Sequence, residues 1–142
     1  AIQVPGVEQV SLEELLPRSD FVSVNVALSN DTRMLLDADR IATMKPGAVL
    51  VNTARGGIVD EQALADALDN GLIYAAGIDV FEREPLAMDN PLLRHPRVVL
   101  APHIGSATID TRRRMADMAV DNALAALAGE PMPHCANPAV YN

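Results

Sequence analysis

The sequence predicts an α/β domain built on a parallel sheet. Short apolar runs alternate with amphipathic segments along most of the chain, which is the pattern of strands joined by crossover helices. Successive apolar runs end in polar or glycine-bearing loops, NTARGG, DVFEREP and PHIGS. The 142 residues, 49% of them hydrophobic, suffice for one compact domain with a real core.

Each element follows from local signals. Ser11 and Glu14 have capping-box spacing, with Val10 and Leu15 as the accompanying staple. Leu12, Leu15 and Leu16 then form one apolar face of a helix expected to end before Pro17. FVSVNV, Phe21 to Val26, reads as a strand. A second helix is expected over 37–44, stopped by Lys45-Pro46-Gly47. Ala48 to Val51 is a continuously apolar strand, as expected where both faces of a sheet are covered. Asp60 is a suitable N-cap for a helix through Asp69, with Gly71 just beyond its end. Strands follow at Ile73 to Val80 and Val98 to Ala101. A long helix is expected over 108–128, closed by Gly129 and Pro131. The Pro- and Asn-rich tail, Met132 to Asn142, reads as an irregular strap.

Composition excludes several function classes. A net charge of -8 argues against a general binder of phosphate backbones. Aromatic residues are 3% of the chain and Trp is absent, so stacking on bases is not expected. There are no repeats, and no apolar run approaches the roughly 18 residues of a membrane span. The start, AIQVPGVEQV, lacks the regions of a secretory signal. The single cysteine, Cys135, excludes an internal disulfide and leaves no thiol set for a metal. A cytoplasmic protein without a metal site is expected.

In an open parallel sheet, ligands bind beyond the carboxyl ends of the strands. The three loops should therefore present Arg55, Asp79, Glu84 and His103 to one crevice. Arg55 offers a planar fork that matches a carboxylate with two hydrogen bonds. Gly56 and Gly57 would let the backbone turn sharply and approach a ligand; a surface arginine in a flexible turn would read the same way. His103 follows Pro102 at a strand end, and an imidazole exchanges protons near neutrality; a buried structural histidine is the alternative. The run Glu82-Arg83-Glu84 supplies candidates for its acidic partner. Glu84 is the best defined of them, because Pro85 restricts the backbone before it. An exposed charged loop is the alternative for all three. Asp79 ends an apolar strand, so it should be half-buried and hydrogen-bonded, either holding a ligand amide or capping the next turn. His95 and His134 should be solvated.

VNTARGGIVDEQAL, AAGIDVFEREPL and LAPHIGSAT, in this order and spacing, resemble the D-isomer-specific 2-hydroxyacid dehydrogenase family. HPRVVLAPHIGSAT followed by GEPMPHCANPAVYN is most similar to its glyoxylate/hydroxypyruvate reductases, including those acting as 2-ketogluconate reductases. The resemblance implies a partial Rossmann-type doubly wound parallel sheet with a long C-terminal helix. Residues 1–107 would be the C-terminal half of an NAD(P)-binding domain, and 108–142 a helix and tail returning to a substrate domain. It implies hydride transfer from NAD(P)H to a small 2-oxoacid (glyoxylate, hydroxypyruvate or 2-ketogluconate), in a protein that is a homodimer at full length. Arg55 would bind the carboxylate and polarise the ketone, His103 would donate the proton, and Glu84 would stabilise protonated His103. Asp79 would receive the nicotinamide carboxamide. Val26, Thr53, Ala54, Arg55, His103, Gly105 and Ser106 would line the cofactor.

Two departures accompany the likeness. Asn25-Val26-Ala27-Leu28 stands where the family usually reads His-x-Pro-Leu. No G-x-G-x-x-G cradle for the pyrophosphate occurs anywhere, so the chain is expected to be the C-terminal portion of a longer enzyme, weakly active alone. The residue that chooses between NAD and NADP is expected upstream of this sequence. The competing function is a non-catalytic nucleotide-sensing or dimerisation module of the same fold.

Overall fold

A computed structural model describes residues 4–141; the first three residues of the start and the last of the tail lie outside the described residues. Ser11 caps α1 (Leu12–Arg18) with the full reciprocal box, its hydroxyl accepting from the Glu14 amide while the Glu14 side chain accepts from the Ser11 backbone. Contrary to expectation, α1 runs through Pro17. A proline in the last turn forfeits only its own donor, and the Ser19 hydroxyl closes the helix by donating to the Leu15 carbonyl at 2.8 Å.

Four strands follow: β1 (Phe21–Val24), β2 (Val49–Asn52), β3 (Ala75–Ile78) and β4 (Val98–Leu100). They pair in sequence order, all parallel, with Val24 beside Asn52 and Asn52 beside Ile78. The strands are shorter than the apolar runs because a ladder exists only where neighbours run side by side. β1 therefore stops at Val24, not Val26, and Asn25 folds back to donate to the Ser23 hydroxyl at 3.0 Å. Ile73 and Val80 lie outside β3 yet remain fully buried.

Helices α2 (Ala38–Ala42) and α3 (Glu61–Asp69) are capped by Asp37 and Asp60. Helix α2 is shorter than expected, since Met44 turns back to the Ile41 carbonyl, although its side chain stays in the core. Gly71, at φ +68°, ends α3. Its amide and that of Leu72 return to the carbonyls of Leu68 and Ala67, the double bond of a Schellman cap.

Burial along the strands alternates, which corrects the expectation of a sheet covered on both faces. Val22, Val24, Leu50, Ala76 and Ile78 are buried with Leu16, Ile41, Leu64 and Leu68. The opposite face leaves Phe21 76% and Val99 73% exposed. Right-handed connections between successive neighbours place every crossover on one side of the sheet. The apolar residues of β2 belong to a strand that can be covered on two faces, but within this chain they are packed on one.

The chain divides into two compact units, Ala1–Ile104 and Gly105–Asn142. The second holds α4 (Ile109–Leu127), capped by Thr108 and closed by Gly129 at φ +73°. The expected strap is a folded tail, ending in a 3₁₀ turn at Pro138–Tyr141, with His134 and Asn122 joined by hydrogen bonds at 2.8 and 3.3 Å. His134 is partly exposed, 3.7 Å from Asp121. No helix among the described residues is long and apolar enough to cross a membrane.

Candidate active site

The loop after β2 is organised by Asn52, which sequence reasoning passed over. Its side chain is buried, accepting from the Ala54 amide at 3.1 Å and donating to the Arg55 carbonyl at 3.0 Å. An Asn at the end of an apolar strand before a turn is the available signal, because its side chain can complete a turn that the backbone leaves open. Arg55 is exposed, with one guanidinium nitrogen 2.6 Å from the Ala54 carbonyl. Gly57 makes the expected sharp turn at φ +76°. Gly56 does something else: a Cβ there would lie 1.8 Å from the Phe81 carbonyl oxygen. Its missing side chain lets the Arg55 loop lie against the loop after β3.

The loop after β3 carries the acid. Glu84 accepts from the Phe81 amide at 3.0 Å through one carboxylate oxygen and meets His103 Nδ1 at 2.7 Å through the other. Glu82 and Arg83, the other candidates, are exposed. The hydrogen bond from His103, then the Phe81 amide, holds the Glu84 carboxyl below its ordinary pKa; the charges of His103 and Arg55 add to this. His103 has φ +55°, uncommon for a residue with a side chain. Its imidazole is 44% exposed, and Nε2 has no hydrogen bond among the described residues.

Asp79 is more buried than expected, at 6% exposure. One carboxylate oxygen accepts from the Ile104 amide at 2.8 Å, so it braces the residue after His103. Glu61 is a second residue missed by sequence reasoning. It accepts from the Glu82 amide at 2.6 Å and from the Asn90 side chain. Nothing in a helix-start glutamate announces a partner twenty-one positions away.

Two cavities open at the carboxyl ends of the strands. Val26, Thr53, Ala54 and Arg55 line a cleft of about 540 Å³ with Ala27 and Leu28. Glu84 and His103 line a second, of about 630 Å³, walled by Leu86, Leu93 and Leu100. Arg55 is near enough to act on the charge of Glu84, while Asp79 lines neither cavity. Gly105 and Ser106 are exposed and open the second unit.

The sequence model of the D-isomer specific 2-hydroxyacid dehydrogenase NAD binding domain matches residues 1–105. The chain belongs to this family. Among curated family members, the glyoxylate/hydroxypyruvate reductase B of Serratia proteamaculans is 50% identical over 133 residues, covering 94% of this chain and 41% of that protein. The chain thus spans about two fifths of the length of such relatives. Among solved structures of similar fold, the TT0316 protein of Thermus thermophilus matches with a TM-score of 0.88 and 46% identity, covering 94% of this chain and 42% of that one. A glyoxylate reductase from Paecilomyes thermophila matches with a TM-score of 0.76 and 44% identity, over 82% of this chain and 35% of its own. The four parallel strands and their helices are part of this family's Rossmann-like dinucleotide-binding domain.

Proposed function

We propose that this chain is the catalytic half of a nicotinamide-dependent dehydrogenase that reduces a small 2-oxoacid, such as glyoxylate, hydroxypyruvate or 2-ketogluconate, to the D-2-hydroxyacid. The complete enzyme on this reading is cytoplasmic and homodimeric, with residues 108–142 returning to a substrate domain. The observation that carries the proposal is the 2.7 Å contact between Glu84 and His103 Nδ1, which leaves Nε2 without a hydrogen bond among the described residues in a side chain that lines a cavity.

The β1–β2 cleft fits the cofactor's chemistry. Alkyl groups of Val26, Ala27 and Leu28 offer an apolar wall, and the Thr53 hydroxyl and backbone offer polar groups to a ring and its ribose. Gly105 and Ser106 are the further residues that the family resemblance implies for cofactor binding. A bound nicotinamide dinucleotide supplies the hydride. Arg55 grips the substrate carboxylate with its fork and opposes negative charge on the ketone oxygen. Glu84, ionised at neutral pH, steadies protonated His103 through Nδ1. His103 then gives its Nε2 proton to the carbonyl oxygen, and that proton remains on the product hydroxyl. Asp79, which accepts from the Ile104 amide, is the residue that holds the nicotinamide carboxamide on this reading.

Replacing either Arg55 or His103 by Ala in the complete protein should abolish most ketoacid reduction; near-normal turnover in either variant would remove that residue from the mechanism. The 142-residue chain should bind NADPH and NADH weakly by calorimetry and turn over glyoxylate and hydroxypyruvate poorly. Robust turnover would show that the chain needs no further part.

A further inference from the structure

We propose that Glu61, in the first turn of α3, is a positioning residue that holds the 82–90 loop so that Glu84 meets His103. The inference rests on the reading of Glu84 and His103 as the proton-donating pair. It begins with two bonds from one carboxylate. One oxygen accepts from the Glu82 amide at 2.6 Å and the other from the Asn90 side chain. Both ends of the loop are therefore stapled to one side chain. Asn90 passes the constraint on, since its own carbonyl oxygen accepts from the Leu92 amide at 3.0 Å and Leu92 is buried.

The anchor is rigid. Leu64 and Leu68 of α3 are fully buried, and the start of the helix is fixed by hydrogen bonds between the Leu36 and Ile58–Asp60 backbones. A glutamate at a helix start ordinarily serves the helix dipole. Here Asp60 already caps α3 by accepting from the Ala63 amide at 2.9 Å, and both Glu61 oxygens reach across to the loop. Gly56 lies close to the same segment, where a Cβ would clash with the backbone of Phe81 and Glu82. Glu82, two residues before Glu84, is thus met by both α3 and the Arg55 loop. The Glu84 carboxylate then reaches back to the Phe81 amide and forward to His103.

The test is a ¹³C titration of the Glu84 carboxyl in the 142-residue chain and in its Glu61→Ala and Glu61→Gln variants, with amide exchange at Glu82 and thermal unfolding alongside. In Glu61→Ala the Glu84 titration should move up toward the ordinary carboxylate range, and the Glu82 amide should exchange faster than those of α3. Glu61→Gln keeps an oxygen for Glu82 but turns a donor toward Asn90, so the same change should be smaller. In the complete enzyme, Glu61→Ala should lower kcat by about tenfold and move KM for the oxoacid far less. An unchanged Glu84 titration in folded Glu61→Ala would overturn the proposal; if that variant does not fold, an unchanged titration in Glu61→Gln does so. Full turnover in His103→Ala would instead sink the catalytic reading, while the Glu84 titration would still report on Glu61.

Discussion

His95 precedes β4 and His103 follows it, and each faces a carboxylate. His95 Nε2 lies 3.5 Å from Asp69, and His103 Nδ1 lies 2.7 Å from Glu84. The surroundings differ in the opposite sense to a simple burial rule. The His95 imidazole is 7% exposed, while that of His103 is 44% exposed. His95 also spends its second nitrogen, accepting from the Arg97 amide at 3.2 Å. One ring nitrogen therefore holds the turn into β4 and the other lies beside Asp69 at the end of α3, contrary to the expectation that His95 is solvated. His103 lines a cavity and engages one nitrogen, the other having no hydrogen bond among the described residues. On the proposed function, what separates the working imidazole from the structural one is the unspent nitrogen, together with a partner that fixes the ring.

The largest expected effect tests that distinction directly. His103→Ala in the complete enzyme should lower kcat by about 10²–10⁴-fold, the usual range for a lost general acid, with a change in unfolding free energy within about 1 kcal/mol. His95→Ala should do the reverse, costing about 1–3 kcal/mol of stability through its lost packing and the unpaired Arg97 amide, with kcat nearly kept. Steady-state kinetics and chemical denaturation of both variants would settle it. A His95 variant that loses turnover while staying folded would erase the contrast.

Gly56→Ala comes next. Its Cβ would lie 1.8 Å from a backbone oxygen and 2.0 Å from a backbone carbon of Phe81, so no side-chain rotation relieves the clash. The Arg55 and Glu84 loops must separate, at about 1–3 kcal/mol, and turnover should fall with stability. Gly71→Ala is the matched control. A Cβ there meets nothing within 4 Å, and the φ of +68° is the only burden. Comparing the two by thermal unfolding and turnover separates strain from loop registry. Equal loss of turnover in both would show that registry does not matter.

These pairs also show what the sequence carries. Alternating apolar runs and caps such as Ser11 and Asp60 are local signals, legible in the sequence. The choice of Glu84 over Glu82 followed from a neighbouring proline, and the structure brings Glu84 to His103. The misses are nonlocal. Glu61 acts across twenty-one residues, Asp79 braces a backbone twenty-five residues on, and Gly56 is small because another loop passes beside it. Strand ends were misjudged because ladder partners, not apolar content, set them. His95 was misjudged because a polar turn can still fold its imidazole inward.

The smallest effect sharpens the comparison by testing the charge on the His103 pair. Glu84 has its pKa lowered in the folded chain, chiefly by the hydrogen bond from His103 and then by the Phe81 amide. The unfolded chain thus binds the Glu84 proton at a higher pH than the folded chain does. Between the two values stability must rise with pH. The contribution is complete above the ordinary carboxylate value of about 4.3 and is lost as pH falls through the depressed one. Because the Glu84 side chain is 37% exposed, solvent screens the pair, and the contribution should stay below about 1 kcal/mol. Glu84→Gln should flatten this part of the acid limb while leaving the rest of the titration in place. Urea denaturation of the parent and the variant at about pH 6 and about pH 3 would read it, since stability differences between the two proteins should shrink at the lower pH. A difference that persists undiminished at low pH would mean that Glu84 acts as a neutral hydrogen-bonding group, and the ionic steadying of His103 would have to be abandoned.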